Sequence, residues 1–111
     1  MELEVGMYVR TKCGIGKLLY FNEELEEWVN EEYNYYTEDY IVKASYNIID
    51  LIEVGDYVNG EKTTRVIPQD ICGDEVLDYQ HIFVNDKEIY KEDIKTIVTK
   101  EQMEAIQYKV V

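Results

Sequence analysis

The sequence predicts a mainly β protein made of two similar units in tandem, with a short helix near its C-terminus. Three observations carry this. Val5-Gly6-Met7-Tyr8-Val9 returns 49 residues later as Val54-Gly55-Asp56-Tyr57-Val58, and Glu38-Asp39 with its apolar sequel returns as Glu92-Asp93 at an offset of 54. Two matched segments at nearly one spacing indicate duplication, with a few residues of loop length differing between the copies. The third observation is a single strong helix signal, Thr99-Lys100-Glu101-Gln102, in a chain otherwise patterned for strands and turns.

In the first unit, residues 1–46, Val5 to Lys12 alternates as a half-buried strand. Gly14-Ile15-Gly16 marks a bend before the strand Lys17-Leu18-Leu19-Tyr20-Phe21. Val-Gly-x-Tyr-Val, then Gly-x-Gly-Lys, then an apolar strand resembles the opening of an SH3-like small barrel, where glycines let a strand bend around the core. The resemblance implies two SH3-like barrels or half-barrels. Units of about 50 residues bury little surface alone, so they are expected to pack together.

Residues 22–40 are expected to be an acidic insertion, holding eight acids, five aromatics and no base. A hairpin fits best, with Leu25, Trp28 and Val29 in one strand, a turn at Asn30-Glu31-Glu32 and a strand from Tyr33 to Thr37. A helix over 23–29 is the alternative, since Leu25, Trp28 and Val29 also fit i, i+3, i+4 spacing. Tyr40 to Ala44 closes the unit, and Asn47 to Ile52 suits one helical turn capped by Asn47.

The second unit, residues 47–111, turns at Asn59-Gly60, the dipeptide that most readily takes the left-handed angles of a two-residue hairpin. Lys62 to Ile67 is its partner strand. Asp70 to Asp78 reads as a polar loop, Asn85-Asp86 as a second hairpin turn, and Glu92-Asp93-Ile94 as a tight turn before the last strand. Thr99 and Gln102 form a capping box for a helix over about 100–106, with Met103 and Ile106 facing the core, after which Gln107 to Val111 resumes a strand pattern.

Composition narrows the functional classes. A hydrophobic fraction of 46% with 11 tyrosines supplies a core and argues against a disordered chain. The net charge is −13, and residues 1–53 carry four bases against twelve acids, a net of −8, compared with −5 for 54–111. Such a field repels nucleic acid and anionic membrane and attracts basic surfaces. No stretch reads as a signal peptide or an apolar membrane span, so the cytosol is the expected compartment.

No catalytic constellation is legible, and an enzyme is not expected. His81 is the only histidine and sits in a strand pattern without a nucleophile motif. Cys13 and Cys72 with one histidine do not make a zinc set. Asp70, Asp74 and Asp78 lack the alternation and closing Glu of a calcium loop, and Gly14-Ile15-Gly16-Lys17 lacks the rest of a phosphate loop. No cofactor or metal is implied.

The acidic segment is therefore the candidate working surface: Glu23, Glu24, Glu26, Glu27, Glu31, Glu32, Glu38 and Asp39 supply charge, and Trp28, Tyr33, Tyr35 and Tyr36 supply rigid anchors. Carboxylates on alternate strand positions lie ~6.5–7 Å apart, close to phosphate spacing along one strand. A solvated hairpin with one apolar face is the plainer reading of the same residues.

Ser45 to Gly60, with its Asn47-Ile48-Ile49-Asp50-Leu51-Ile52 core, together with Ile97 to Glu104 and its Thr-Lys-Glu-Gln, resembles short phage and prophage proteins of Gram-positive bacteria. The likeness covers about half the chain, and the acidic segment is no part of it. The likeness itself names no activity. By analogy with other small acidic phage proteins that lack enzymatic motifs, and from the acidic segment, the expected function is a phage-encoded inhibitor of bacterial defence, an anti-CRISPR among the candidates, that acts as a nucleic-acid mimic on the basic groove of a host protein such as a Cas9-type nuclease. A structural or adaptor module that binds protein or oligomerises, and a sponge for a nucleotide signal using Lys43, Arg65 or Lys95, are the alternatives; oligomeric state is left open.

Overall fold

The computed structural model describes residues 2–68, 71–72, 75–76 and 80–107. The chain is mainly β, with two antiparallel five-stranded sheets and one short helix. Its contacts divide it into two compact units, Met1–Leu51 and Ile52–Val111.

In the first unit the strands are β1 (Tyr8–Thr11), β2 (Gly14–Asn22), β3 (Glu27–Asn30), β4 (Tyr35–Tyr36) and β5 (Lys43–Ser45), in spatial order β4-β3-β2-β1-β5. A 3₁₀ turn, Glu38–Tyr40, links β4 to β5, and another, Ile48–Leu51, follows β5. Val9, Leu18 and Ile41 form the buried core, with Leu3, Trp28, Tyr36 and Ala44 packed against it. Arg10 is buried too, its guanidinium donating to the Leu51 carbonyl at 2.9 Å.

The second unit repeats the plan with β6 (Tyr57–Val58), β7 (Glu61–Ile67), β10 (His81–Val84), β11 (Lys87–Ile89) and β12 (Ile97–Val98), in order β11-β10-β7-β6-β12. A 3₁₀ turn, Lys91–Asp93, again separates the fourth and fifth strands. Between β7 and β10 stands a small hairpin, β8 (Ile71–Cys72) with β9 (Glu75–Val76), where a polar loop is expected from sequence. The strand pattern of 108–111 and the Cys72 side chain lie outside the described residues.

The duplication reaches individual hydrogen bonds. Met7 N–H donates to Glu4 C=O and Asp56 N–H to Glu53 C=O, closing the same turn, with Gly6 (φ 94°) and Gly55 (φ 99°) in the left-handed position only glycine takes without strain. Gly6 N–H then reaches Leu18 C=O, and Gly55 N–H reaches Thr63 C=O. A bulge at Leu19 between β2 and β3 recurs at Thr64 between β7 and β10. The Glu-Asp match is one residue out: Ile41 N–H closes on Glu38 C=O and Ile94 N–H on Lys91 C=O, an offset of 53. Pairing with the preceding strand, not the shared Glu-Asp letters, fixes where each 3₁₀ turn begins.

Both Asn-led hairpin turns are as expected, with Asn59 and Gly60 at φ 52° and 82° and Asn85 and Asp86 at 52° and 63°. Asn59 adds a stitch: its side-chain amide donates to Asp93 C=O at 2.7 Å and accepts from Lys95 and Thr96 N–H. The capping box is formed, Thr99 accepting from Gln102 N–H and Gln102 from Thr99 N–H, and it opens α1 (Lys100–Ile106).

Two expectations are corrected. Neither sheet closes into a barrel: β4 and β5 remain edges of the first, β11 and β12 of the second, each edge only two or three residues long. Ile106 does not face a core but is 74% exposed, because a seven-residue helix presents its last turn to solvent.

Candidate functional surface

Residues 22–40 run through the end of β2, all of β3 and β4, and the first 3₁₀ turn, so the acidic segment is woven into the sheet. A hairpin forms there, but Leu25 falls in the turn before β3 and the second strand is limited to Tyr35–Tyr36; the helical alternative over 23–29 does not form. Opposed residues in an antiparallel ladder share a face. Phe21, Trp28 and Tyr36 therefore form one cross-strand row, and Tyr20, Val29 and Tyr35 form the next row on the opposite face.

The first row looks inward at Trp28 and Tyr36, while Phe21 at its end is 41% exposed. Trp28 and Tyr36 pack on the Val9, Leu18 and Ile41 cluster, and Phe21 lies 5.1 Å from Trp28 between ring centres, tilted by 52°. Burial pushes the Tyr36 phenol up to about 12; the Asn30 amide beside it pulls the other way without ordinary hydrogen-bond geometry, and the Glu31 charge adds to the rise. Trp28 and Tyr36 are thus chiefly core residues, which the sequence reading offers as partner anchors.

The second row looks outward. Tyr20 is 40% and Tyr35 47% exposed, while Val29 between them is fully buried. Tyr20 is held above the usual phenol range first by a side-chain hydrogen bond with Tyr35, then by desolvation and by the charges of Tyr35 and Tyr33. Tyr33, 68% exposed, completes the cluster from the turn after β3. The sequence does not single out Tyr20, which precedes the charge-biased stretch; only the β2–β3 and β3–β4 registers bring it into line with Tyr35.

The acids bracket this row. Glu23, Glu24 and Glu26 stand exposed in the turn before β3, with half-buried Glu27 opening the strand on the tyrosine face. Glu31 and Glu32 stand exposed in the turn at the other end, ~10 Å along β3 from Glu27. The chain leaves β4 near the first group, carrying exposed Glu38 and Asp39, the latter accepting from the Thr37 hydroxyl. Glu23, Glu24, Glu26, Glu27, Glu31 and Glu32 make no ion pair with the described residues. No Lys or Arg occurs between Leu18 and Val42. Only Glu27 of the eight lies within a strand, so the expected ladder of carboxylates on alternate strand positions is replaced by two clusters on turns.

Both turns contain a residue ill suited to its backbone. Glu26 (φ 54°) and Tyr33 (φ 60°) are left-handed, whereas among the described residues the left-handed positions of the second unit outside glycine are Asn59, Asn85 and Asp86, types that tolerate it. The Asn30 side chain holds the second turn, its oxygen accepting from Glu32 N–H at 3.0 Å and Asn34 N–H at 2.9 Å.

Elsewhere several polar groups are internally engaged. His81 Nδ1 lies 2.6 Å from Glu88, and hydrogen bonds from His81 and then Tyr90 hold the Glu88 carboxyl below its usual range. Buried Asp56 accepts from Glu53 N–H at 2.7 Å and from Lys100 N–H at 2.9 Å, joining the repeated turn to the start of α1. A hollow of about 190 Å³ beside α1 is lined by Tyr57, Lys62, Lys100 and Met103 among others, with Lys100 bound to Glu53 at 2.8 Å. Cys13 is an exposed free thiol. Among the described residues no group of three or more His, Cys, Asp or Glu is placed to hold a metal ion, and no helix is long and apolar enough to cross a membrane. No family model, curated protein or solved structure matches the chain.

Proposed function

We propose that the chain is a protein-binding module whose first unit offers its β2–β3–β4 face to a basic surface of the kind that holds nucleic acid. One observation carries this reading: exposed glutamates that make no ion pair with the described residues stand at both ends of a row with exposed tyrosines, on a stretch without a single base. Two strained positions at its borders support it, since Glu26 and Tyr33 each cost of order 1 kcal/mol that Asn or Gly would avoid. A net charge of −13 steers such a module toward a cationic groove and away from nucleic acid itself.

The partner proposed is a nucleic-acid-binding host protein. The phage-protein resemblance makes a bacterial defence nuclease, a Cas9-type CRISPR effector included, the first to try, with the chain as an inhibitor acting in the host cytoplasm. The scaffold proposed is a pair of SH3-like half-barrels, supported by the order β4-β3-β2-β1-β5 and the 3₁₀ turn before the last strand, both present in each unit. The test is DNA cleavage by such a nuclease in the presence of the native chain and of the E23K/E24K/E26K/E27K variant. Inhibition by the native chain that weakens with salt and vanishes in the variant is expected; undiminished inhibition by the variant refutes the acidic-surface reading, and assembly of the chain into defined oligomers without inhibition points to an adaptor instead.

A further inference from the structure

The second unit shows what chemistry its own version of the tyrosine row accommodates. Register by register, Tyr20, Val29 and Tyr35 correspond to Arg65, Phe83 and Glu88, and Glu27 corresponds to His81. In the second unit this row is self-contained: the Arg65 guanidinium lies over the Phe83 ring, 5.2 Å from its centre, and Glu88 pairs with His81. In the first unit the same positions hold two exposed phenols and a carboxylate, and no cation. The bases of that unit are Arg10 on β1, which is buried, Lys12 in the turn between β1 and β2, Lys17 on β2, whose ammonium sits 5.7 Å from the Tyr8 ring centre, and Lys43 on β5.

From this we infer that the Tyr20–Val29–Tyr35 row receives an arginine side chain from a basic protein segment, its guanidinium lying against the two phenols with Glu27 two residues along β3 on the same face. The inference rests on the binding reading above and narrows its partner. A planar, weakly hydrated guanidinium stacks on an aromatic face and still offers N–H donors at its edge, whereas an ammonium is a compact, strongly hydrated point charge. Glu23, Glu24 and Glu26 attract any cation; the tyrosine row is what distinguishes arginine from lysine.

The test uses two octapeptides of equal charge, an arginine–glycine repeat and a lysine–glycine repeat, titrated calorimetrically into the full chain at low salt. The arginine peptide is expected to bind about fivefold more tightly, the scale of one cation–π contact at an exposed ring. That preference should persist in Y20F/Y35F, which keeps both rings, and disappear in Y20S/Y35S. Equal binding of the two peptides by the native chain, or a preference that survives Y20S/Y35S, overturns the inference. Equal binding that is lost together in E23K/E24K/E26K/E27K overturns it while leaving the acidic-surface reading in place, and absence of binding by either peptide removes both.

Discussion

Asp56→Ala is the perturbation that most sharply tests how the second unit is held. The carboxylate is fully buried and accepts from Glu53 N–H at 2.7 Å and Lys100 N–H at 2.9 Å. An unsatisfied buried donor costs about 1–3 kcal/mol. Lys100 is exposed and its amide regains water, so the loss is dominated by the Glu53 end and by release of α1, together about 3 kcal/mol. In a unit of this size that lowers the melting temperature by about 15 °C. Asp56→Asn keeps one acceptor oxygen and should lose about half as much. Glu53→Gln, which removes the charge from the surface pair with Lys100, should lose under about 1 kcal/mol. Thermal melting followed by far-ultraviolet circular dichroism, with hydrogen exchange at the α1 amides, provides the assay. An Asp56→Ala protein that melts within about 3 °C of the parent, with α1 amides still protected, would refute the reasoning.

Two further outcomes follow from the same geometry. Tyr33→Asn relieves a left-handed aromatic residue and should stabilise the chain by about 0.5–1 kcal/mol in urea unfolding while weakening partner binding; a destabilised variant, or one that binds as before, contradicts the view that this position serves binding at the expense of stability. Glu88 has a folded pKa below its unfolded one, so its contribution to stability is complete above the ordinary carboxylate range and is lost as pH falls through the folded value. Glu88→Gln should therefore shrink the stability difference between pH 6 and pH 3, and an unchanged acid limb counts against the His81–Glu88 bond.

Local signals in the sequence were sufficient wherever a residue type alone dictates backbone. Gly6 and Gly55 mark the repeated turn, Asn59-Gly60 and Asn85-Asp86 the two-residue hairpins, and Thr99 with Gln102 the helix start. Pairing between strands was not legible in that way. It set the true offset of the 3₁₀ turns, placed Trp28 and Tyr36 inward, and brought Tyr20 from outside the acidic segment to the side of Tyr35. The charge bias of 22–40 identified the segment but not its arrangement, since turn residues follow no alternation and the carboxylates gather at the two ends of β3. The arginine-for-tyrosine exchange between the units emerges only once the two bulges, at Leu19 and Thr64, are superimposed in register.

The most direct measurement is an amide chemical-shift map of the isotopically labelled chain as the arginine–glycine octapeptide is added. The binding account predicts that perturbed amides concentrate between Leu18 and Tyr40, strongest around Tyr20, Glu27 and Tyr35, and fade with added salt. Perturbations centred on the second unit, around Asp56 and α1 or on the Arg65–Phe83 row, would contradict it.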